Sequence, residues 1–207
     1  PVKIDRKNSP AVRIDNYGRA LVNGQLFMPL GAFTGVLNAA VMDALLDAGF
    51  NCVLPYGSMS MTLHPEEPRS TGQIVKVMDL AEQKGLKVIF SGKDIGSAAR
   101  HGLMEWQGAE GQDAIVEKLT ALLKKHPALL AWYVNDEQPL SQVARLTAMR
   151  RLFNRLDPDH PTYGVLYQYE SLPMYGSTCD IIGVDPYPLA EKSIGRAVYA
   201  MIQARLS

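Results

Sequence analysis

The sequence predicts a parallel α/β protein of the TIM-type (β/α)8-barrel class, and three observations carry that prediction. Short apolar runs alternate with amphipathic stretches along most of the chain. The runs are continuously apolar, as strands buried on both faces require. No Gly-rich phosphate loop follows the first of them, because GAFTG at 31–35 lacks the GxGxxG spacing; a doubly wound nucleotide fold is therefore the less attractive alternative.

The elements follow in order. Residues 1–26 form a β-hairpin segment: VRID, the turn NYG, RALV and the turn NG at 23–24 lead into QLFMPLGAF. The barrel domain then occupies 27–207. Its six predicted strands are 27–33, 50–56, 86–91, 129–135, 163–168 and 180–185. Helices are expected between them. The first covers 38–48 with Gly49 as its stop. The second covers 73–84, with Ile74, Val77, Met78 and Ala81 on one face and Gly85 after it. The third covers 113–125, capped by Asp113, with Ile115, Val116, Leu119, Leu122 and Leu123 inward. The fourth covers 141–156 from Ser141 and buries Leu146, Met149, Phe153 and Leu156. A last helix is expected from about Ser193 to Arg205.

Six β/α units fall short of eight, and such barrels usually take about 250 residues. The expectation is an incomplete barrel, truncated toward its C-terminus. The first residue is Pro1 rather than Met, as expected of an excerpt from a longer protein. An open sheet would expose two edges, so self-association is expected if nothing else covers them.

Composition narrows the partners. Apolar residues make up 47% and charged residues 20%, ordinary for a globular domain. Lys plus Arg and Asp plus Glu stand at 21 each, so no net field draws in nucleic acid or anionic lipid. No 18-residue apolar stretch suggests a membrane span. Cys52 and Cys179 fit no zinc or CxxC pattern and read as buried free thiols. The histidines form no HxH or HExxH, so neither a metal nor another cofactor is expected.

In parallel α/β folds the working face lies at the C-terminal ends of the strands. Those ends carry Phe33 and Thr34; Tyr56; Ser91, Lys93 and Asp94; Asn135, Asp136 and Glu137; Tyr167, Gln168 and Tyr169; and Asp185 and Tyr187. Carboxylates and amides bind hydroxyls, and aromatic rings cover the apolar faces of sugars, so the mouth suits a neutral polyhydroxyl ligand. Strand alternation puts Tyr133, Asn135 and Glu137 on one face and Trp132, Val134 and Asp136 on the other, which makes Glu137 the inward acid if Tyr133 points to the axis. Against that, Glu137 has a plain alternative as a rim carboxylate, and Asp136 as a helix cap or arginine partner. The loops 57–72 and 92–112 are long, and Trp106 in the second is the favoured sugar-stacking residue; its alternative is to pin its own loop. Lys93 would carry a Schiff base if the barrel were a lyase.

A resemblance is visible in these residues. Trp132-Tyr133 followed by Asn135-Asp136-Glu137-Gln138-Pro139 resembles the fourth strand of glycoside hydrolase clan A. RIDNYGRALVNGQLFMPLGAF resembles the approach to the barrel in the β-galactosidase and β-glucuronidase-like family, glycoside hydrolase family two. DIIGVDPYP resembles strand six of related sugar hydrolases. The likeness spans roughly 11–190. It implies hydrolysis of glycosidic bonds in an oligosaccharide or polysaccharide, with Glu137 as general acid/base and a secreted or periplasmic setting. Asn135, Asp136, Tyr56, Lys93, Trp106, Tyr167, Gln168 and Tyr187 are then the substrate-binding candidates. Asp136 departs from the pattern by separating the Asn from the Glu. The clan's nucleophile, a Glu on strand seven, would lie beyond Ser207. In a variant within the chain, Asp185 partners Glu137 in an inverting arrangement. The alternative function is a non-catalytic carbohydrate-binding barrel that lost the nucleophile.

Overall fold

Six strands lie side by side in chain order, all parallel, with helices between them. The computed structural model describes residues 11–64, 66–97, 102–186 and 202–203. In chain order its strands are β1 (Val12–Ile14), β2 (Ala20–Val22), β3 (Gln25–Leu26), β4 (Gly31–Thr34), β5 (Cys52–Pro55), β6 (Lys87–Ser91), β7 (Glu105–Trp106), β8 (Ala109–Glu110), β9 (Leu129–Asp136), β10 (Thr162–Leu166) and β11 (Ile181–Val184). The helices are α1 (Ala39–Asp47), α2 (Thr71–Gln83), α3 (Gln112–Leu123) and α4 (Val143–Leu156). The main sheet runs β4-β5-β6-β9-β10-β11; β1-β2-β3 form a small antiparallel sheet and β7-β8 a short hairpin.

All four helices cover the same face of the main sheet. Met42 and Leu45 of α1, Ile74, Val77 and Met78 of α2, Ile115, Val116 and Leu119 of α3, and Met149 and Phe153 of α4 join Val53, Val88, Phe90 and Trp132 in one core. Trp132 is its centre, with Phe90 at 5.9 Å and Phe153 at 5.1 Å between ring centroids. A doubly wound sheet carries helices on both faces. One-sided helices and strands in strict order instead make this six strands of a barrel wall.

The other face is concave, and only its base is plugged. Val12 of β1 packs there on Cys52 and Leu130, with Val22 and Phe27 beside them. Above the plug an apolar cavity of about 240 Å³ remains, lined in part by Ile14, Phe33, Leu54, Ile89, Tyr163 and Ile181. The expected buried first strand is therefore an edge: Phe33 in β4 is 49% exposed and Leu30, just before it, 53%.

Helix starts and stops follow local chemistry. Asn38 caps α1 by accepting the Val41 N–H, and Ser70 caps α2 by accepting that of Gln73. Gly49 and Gly85 take φ of +84° and +76°, the left-handed turn that ends α1 and α2. Two boundaries differ from expectation. Asp113 lies in the first turn of α3, whose cap is Gly111, so it faces the helix dipole without capping. A 3₁₀ turn over Leu140–Gln142 takes up the expected start at Ser141, and α4 begins at Val143. Of the last expected helix only 202 and 203 are described, and both are helical.

Candidate functional site

Strand β9 delivers most of the site, and it does so through two irregularities. Its pairing with β6 steps from Leu129 to Ala131, and its pairing with β10 from Tyr133 to Asn135. Leu130 and Val134 are therefore extra residues, and each reverses the inward-outward alternation. The second reversal corrects the simple parity expectation. Tyr133 shares its face with Asp136, and its phenol donates to Asp136 Oδ1 at 2.5 Å. Asn135 is wholly buried instead, its Oδ1 accepting the Gln138 N–H at 3.2 Å. Gly164 leaves room for it: a Cβ there would meet the Asn135 Cβ at 3.0 Å.

Around Asp136 the neighbouring strand ends converge. Tyr56, just past β5, brings its hydroxyl to 3.4 Å from Asp136 Oδ1. Lys93, past β6, places Nζ 3.7 Å from Asp136 Oδ2 and 2.9 Å from Asp94 Oδ1. The same ammonium lies 5.3 Å from the centre of the Tyr56 ring. Asp136 thus takes neither the helix-cap nor the arginine-partner role; tyrosine hydroxyls and a lysine hold it.

Glu137 leaves the strand with φ +54°, a left-handed backbone rare for a side chain of this kind. The backbone is fixed on both sides. The Glu137 N–H donates to Val165 O at 2.8 Å, and Gln168 Nε2 donates to Glu137 O at 3.2 Å. Asp185 follows β11, its N–H on Leu166 O at 3.0 Å and its carbonyl accepting the Tyr169 hydroxyl at 2.7 Å. Asp136 is in contact with the Tyr56 phenol, and Asp185 and Glu137 act on it at longer range. Burial pushes the Tyr56 hydroxyl pKa up, and the charge and hydrogen bond of Asp136, then the charges of Asp185 and Glu137, push it further. Burial, followed by the Asp136 hydrogen bond, drives Tyr133 far above the ordinary phenol range. Tyr163 is pushed up to about 12, chiefly by burial.

The fold therefore gathers Tyr56, Lys93, Asp136, Glu137 and Asp185 in one region. Gln168 adjoins it through the Glu137 carbonyl, and Tyr167 is 44% exposed one residue away. Trp106 is not brought there. It is 6% exposed in the core, and its indole N–H holds Met59 O at 3.1 Å, so it pins the 92–112 loop against the 57–72 loop. Tyr187 lies outside the described residues. Asp94 and Phe33, read at strand ends, and Tyr133, read as a possible axis-facing residue, join the cluster although none of them is singled out as a substrate-binding candidate in the sequence. Phe33 and Tyr133 were legible as inward aromatics at or near strand ends, and Phe33 packs 5.4 Å from Tyr56 and 6.1 Å from Tyr133. Among the described residues no group of three or more His, Cys, Asp and Glu side chains is placed to hold a metal ion. Burial pushes Cys52 and Cys179 up to about 11, so both stay protonated thiols.

No family model matches the sequence, and no curated protein matches it. Solved structures do share the fold. A β-glucuronidase from Parabacteroides merdae is 15% identical over 93% of this chain and 25% of its own, with a TM-score of 0.56. A glycosyl hydrolase family 2 member from Bacteroides cellulosilyticus is 14% identical over 86% of this chain and 24% of its own, with a TM-score of 0.61. A β-D-glucuronidase from Dictyoglomus thermophilum is 19% identical over 89% of this chain and 34% of its own, with a TM-score of 0.57. The chain thus spans a quarter to a third of the length of these proteins. At such identities the likeness is one of fold.

Proposed function

We propose that this chain is a glycoside hydrolase-type barrel domain acting on the glycosidic bonds of an oligosaccharide or polysaccharide, with Glu137 as its general acid/base. The observation that carries the reading is the cluster of Asp136 with Tyr56, Tyr133 and Lys93 at the C-terminal ends of the strands, beside the clamped backbone of Glu137, in a fold shared with glycosidase structures. Glycosidic cleavage needs one carboxyl to protonate the leaving oxygen and another, on the far side of the anomeric carbon, to act as nucleophile or to activate water. Glu137 is suited to the first role because its backbone is clamped by Val165 O and Gln168 Nε2, which fixes where its side chain starts. Asp185 is the second carboxyl within the described strands, and its use would invert the anomeric centre. Asp136, held by Tyr133 and Lys93, positions the two tyrosines.

Aryl glycosides with leaving groups of graded acidity test the assignment. Glu137→Gln should lower turnover about 10²- to 10⁴-fold for poor leaving groups and much less for activated ones, since only the former need the proton. Equal turnover in both proteins removes Glu137 from the mechanism. Sugar binding without any turnover in the native protein would support the non-catalytic reading instead.

A further inference from the structure

The backbone of Glu137 is left-handed, and such a conformation in a non-glycine residue persists only where its surroundings hold it. Here the hold runs through the whole turn. The Glu137 N–H donates to Val165 O at 2.8 Å, and the Gln138 N–H to Asn135 Oδ1 at 3.2 Å. The Asp136 carbonyl accepts from Gln138 Nε2 at 3.2 Å, the Glu137 carbonyl from Gln168 Nε2 at 3.2 Å, and the Gln138 carbonyl from the Tyr175 hydroxyl at 2.8 Å. Every backbone donor and acceptor from the Asp136 carbonyl to the Gln138 carbonyl is thus bonded, and most of the bonds come from side chains rather than from the sheet.

Two of those side chains have no access to a ligand, because Asn135 and Tyr175 are both 0% exposed. Tyr175 ends a 3₁₀ segment, Tyr169–Tyr175, that follows β10. Its ring packs with Leu166 and Leu172, beside Val143, Ile182 and Val184. Its carbonyl accepts both the N–H and the hydroxyl of Thr178, at 2.8 and 2.7 Å. The phenol is therefore fixed at its base, and it carries its hydroxyl to a residue 37 positions earlier in the chain. A phenyl ring would meet the packing need; the hydroxyl adds a bond to the turn.

We propose that Asn135, Gln168 and Tyr175 are positioning residues for Glu137: they grip the backbone on either side of its peptide and so fix where the carboxyl stands for proton transfer. The proposal rests on the glycosidase reading. It moves Asn135, expected from the sequence to bind substrate, to the support of the acid, and it adds Tyr175. An acid displaced by an ångström loses much of its effect, so the hold matters to rate more than to substrate affinity.

The test follows turnover of aryl glycosides with graded leaving groups by the full chain, by Tyr175→Phe, by Glu137→Gln and by the double variant. Tyr175→Phe should lower kcat on poor leaving groups by about tenfold, leave KM within about twofold, and affect activated leaving groups far less, since only the former need the proton. Added to Glu137→Gln, it should cost nothing further, because the acid it positions is gone. Asn135→Ala, which strips the acceptor from the Gln138 N–H, should show the same pattern. Should either variant fail to fold, Gln168→Met removes the bond to the Glu137 carbonyl from a partly exposed position and should do the same. Native kcat in a folded variant, a loss equal across leaving groups, or a loss repeated in full in the Glu137→Gln background would overturn the proposal and leave the glycosidase reading standing. A native chain without turnover, or Glu137→Gln as active as native, would overturn both.

Discussion

The two ends of this sheet handle buried charge in opposite ways. At the base, each carboxylate is surrounded by donors. Asp157 is 1% exposed and accepts from Trp132 Nε1 at 2.8 Å, His160 Nδ1 at 2.9 Å and the Asp159 N–H at 3.2 Å. Asp180 accepts from the Thr162 N–H and hydroxyl at 2.9 and 2.7 Å, from Arg150 at 2.9 Å and from Asn154 at 3.2 Å. At the mouth, Asp94 and Asp136 share the Lys93 ammonium, and the Tyr133 and Tyr56 hydroxyls both reach Asp136 Oδ1. Several donors matched to one carboxylate hold it firmly, whereas one ammonium shared between two carboxylates on the surface side of the sheet adds little to stability. The difference teaches that the base is built for stability, and that the mouth is where the proposed chemistry would find its carboxylates.

The largest test of that contrast is Asp157→Ala. It strands the Trp132 indole N–H and the His160 ring in a dry site, at a cost of about 3 kcal/mol in urea unfolding. Sugar binding measured where the variant remains folded should not change. A cost below about 1 kcal/mol would mean that the base is no more optimised than the mouth.

Asp180→Asn comes next, with a cost of about 2 kcal/mol at neutral pH from charge-assisted bonds that weaken or break. Its pH dependence has a defined sign. Burial alone would raise the Asp180 pKa, but the bonds from Thr162, Arg150 and Asn154 outweigh it and leave the pKa below the ordinary carboxylate value of 3.8. A depressed folded pKa stabilises the ionised native state. That contribution is full above the unfolded value of 3.8 and is lost as pH falls through the lower folded pKa. Native protein should therefore lose stability more steeply than Asp180→Asn below about pH 4. Parallel acid unfolding curves would break the assignment.

How far the site could be read in advance depended on period and register. The six main strands and four helices were legible because Ile74, Val77, Met78 and Ala81, or the unbroken LLAWYV, repeat a pattern that burial enforces. The strand ends were legible for the same reason, and with them Tyr56, Lys93, Asp136, Glu137 and Asp185. The orientation of the acids was not. Extra residues at Leu130 and Val134 are tertiary accommodations with no local sequence mark, and the second moved Asp136 onto the face of Tyr133. Trp106 was misplaced because exposure of a loop aromatic is decided by a distant partner, here the Met59 carbonyl. The base contacts Asp157–Trp132 and Asp180–Arg150 were unread because each joins residues far apart in sequence, whose closeness only the fold creates.

The smallest expected effect bears most directly on the contrast, because it should have the opposite sign. Glu137 holds φ +54° at the mouth, where a side chain suffers a clash that glycine avoids. Relief of that clash is worth about 1–2 kcal/mol, and the greater freedom of glycine in the unfolded chain offsets roughly half of it. Glu137→Gly should thus raise the unfolding free energy by about 0.5–1 kcal/mol, read as a higher urea midpoint with an unchanged slope, while removing the carboxyl removes turnover. A Glu137→Gly protein less stable than the native one would mean that the side chain supports the fold, and the division of labour between the two ends of the sheet would fail at its most informative residue.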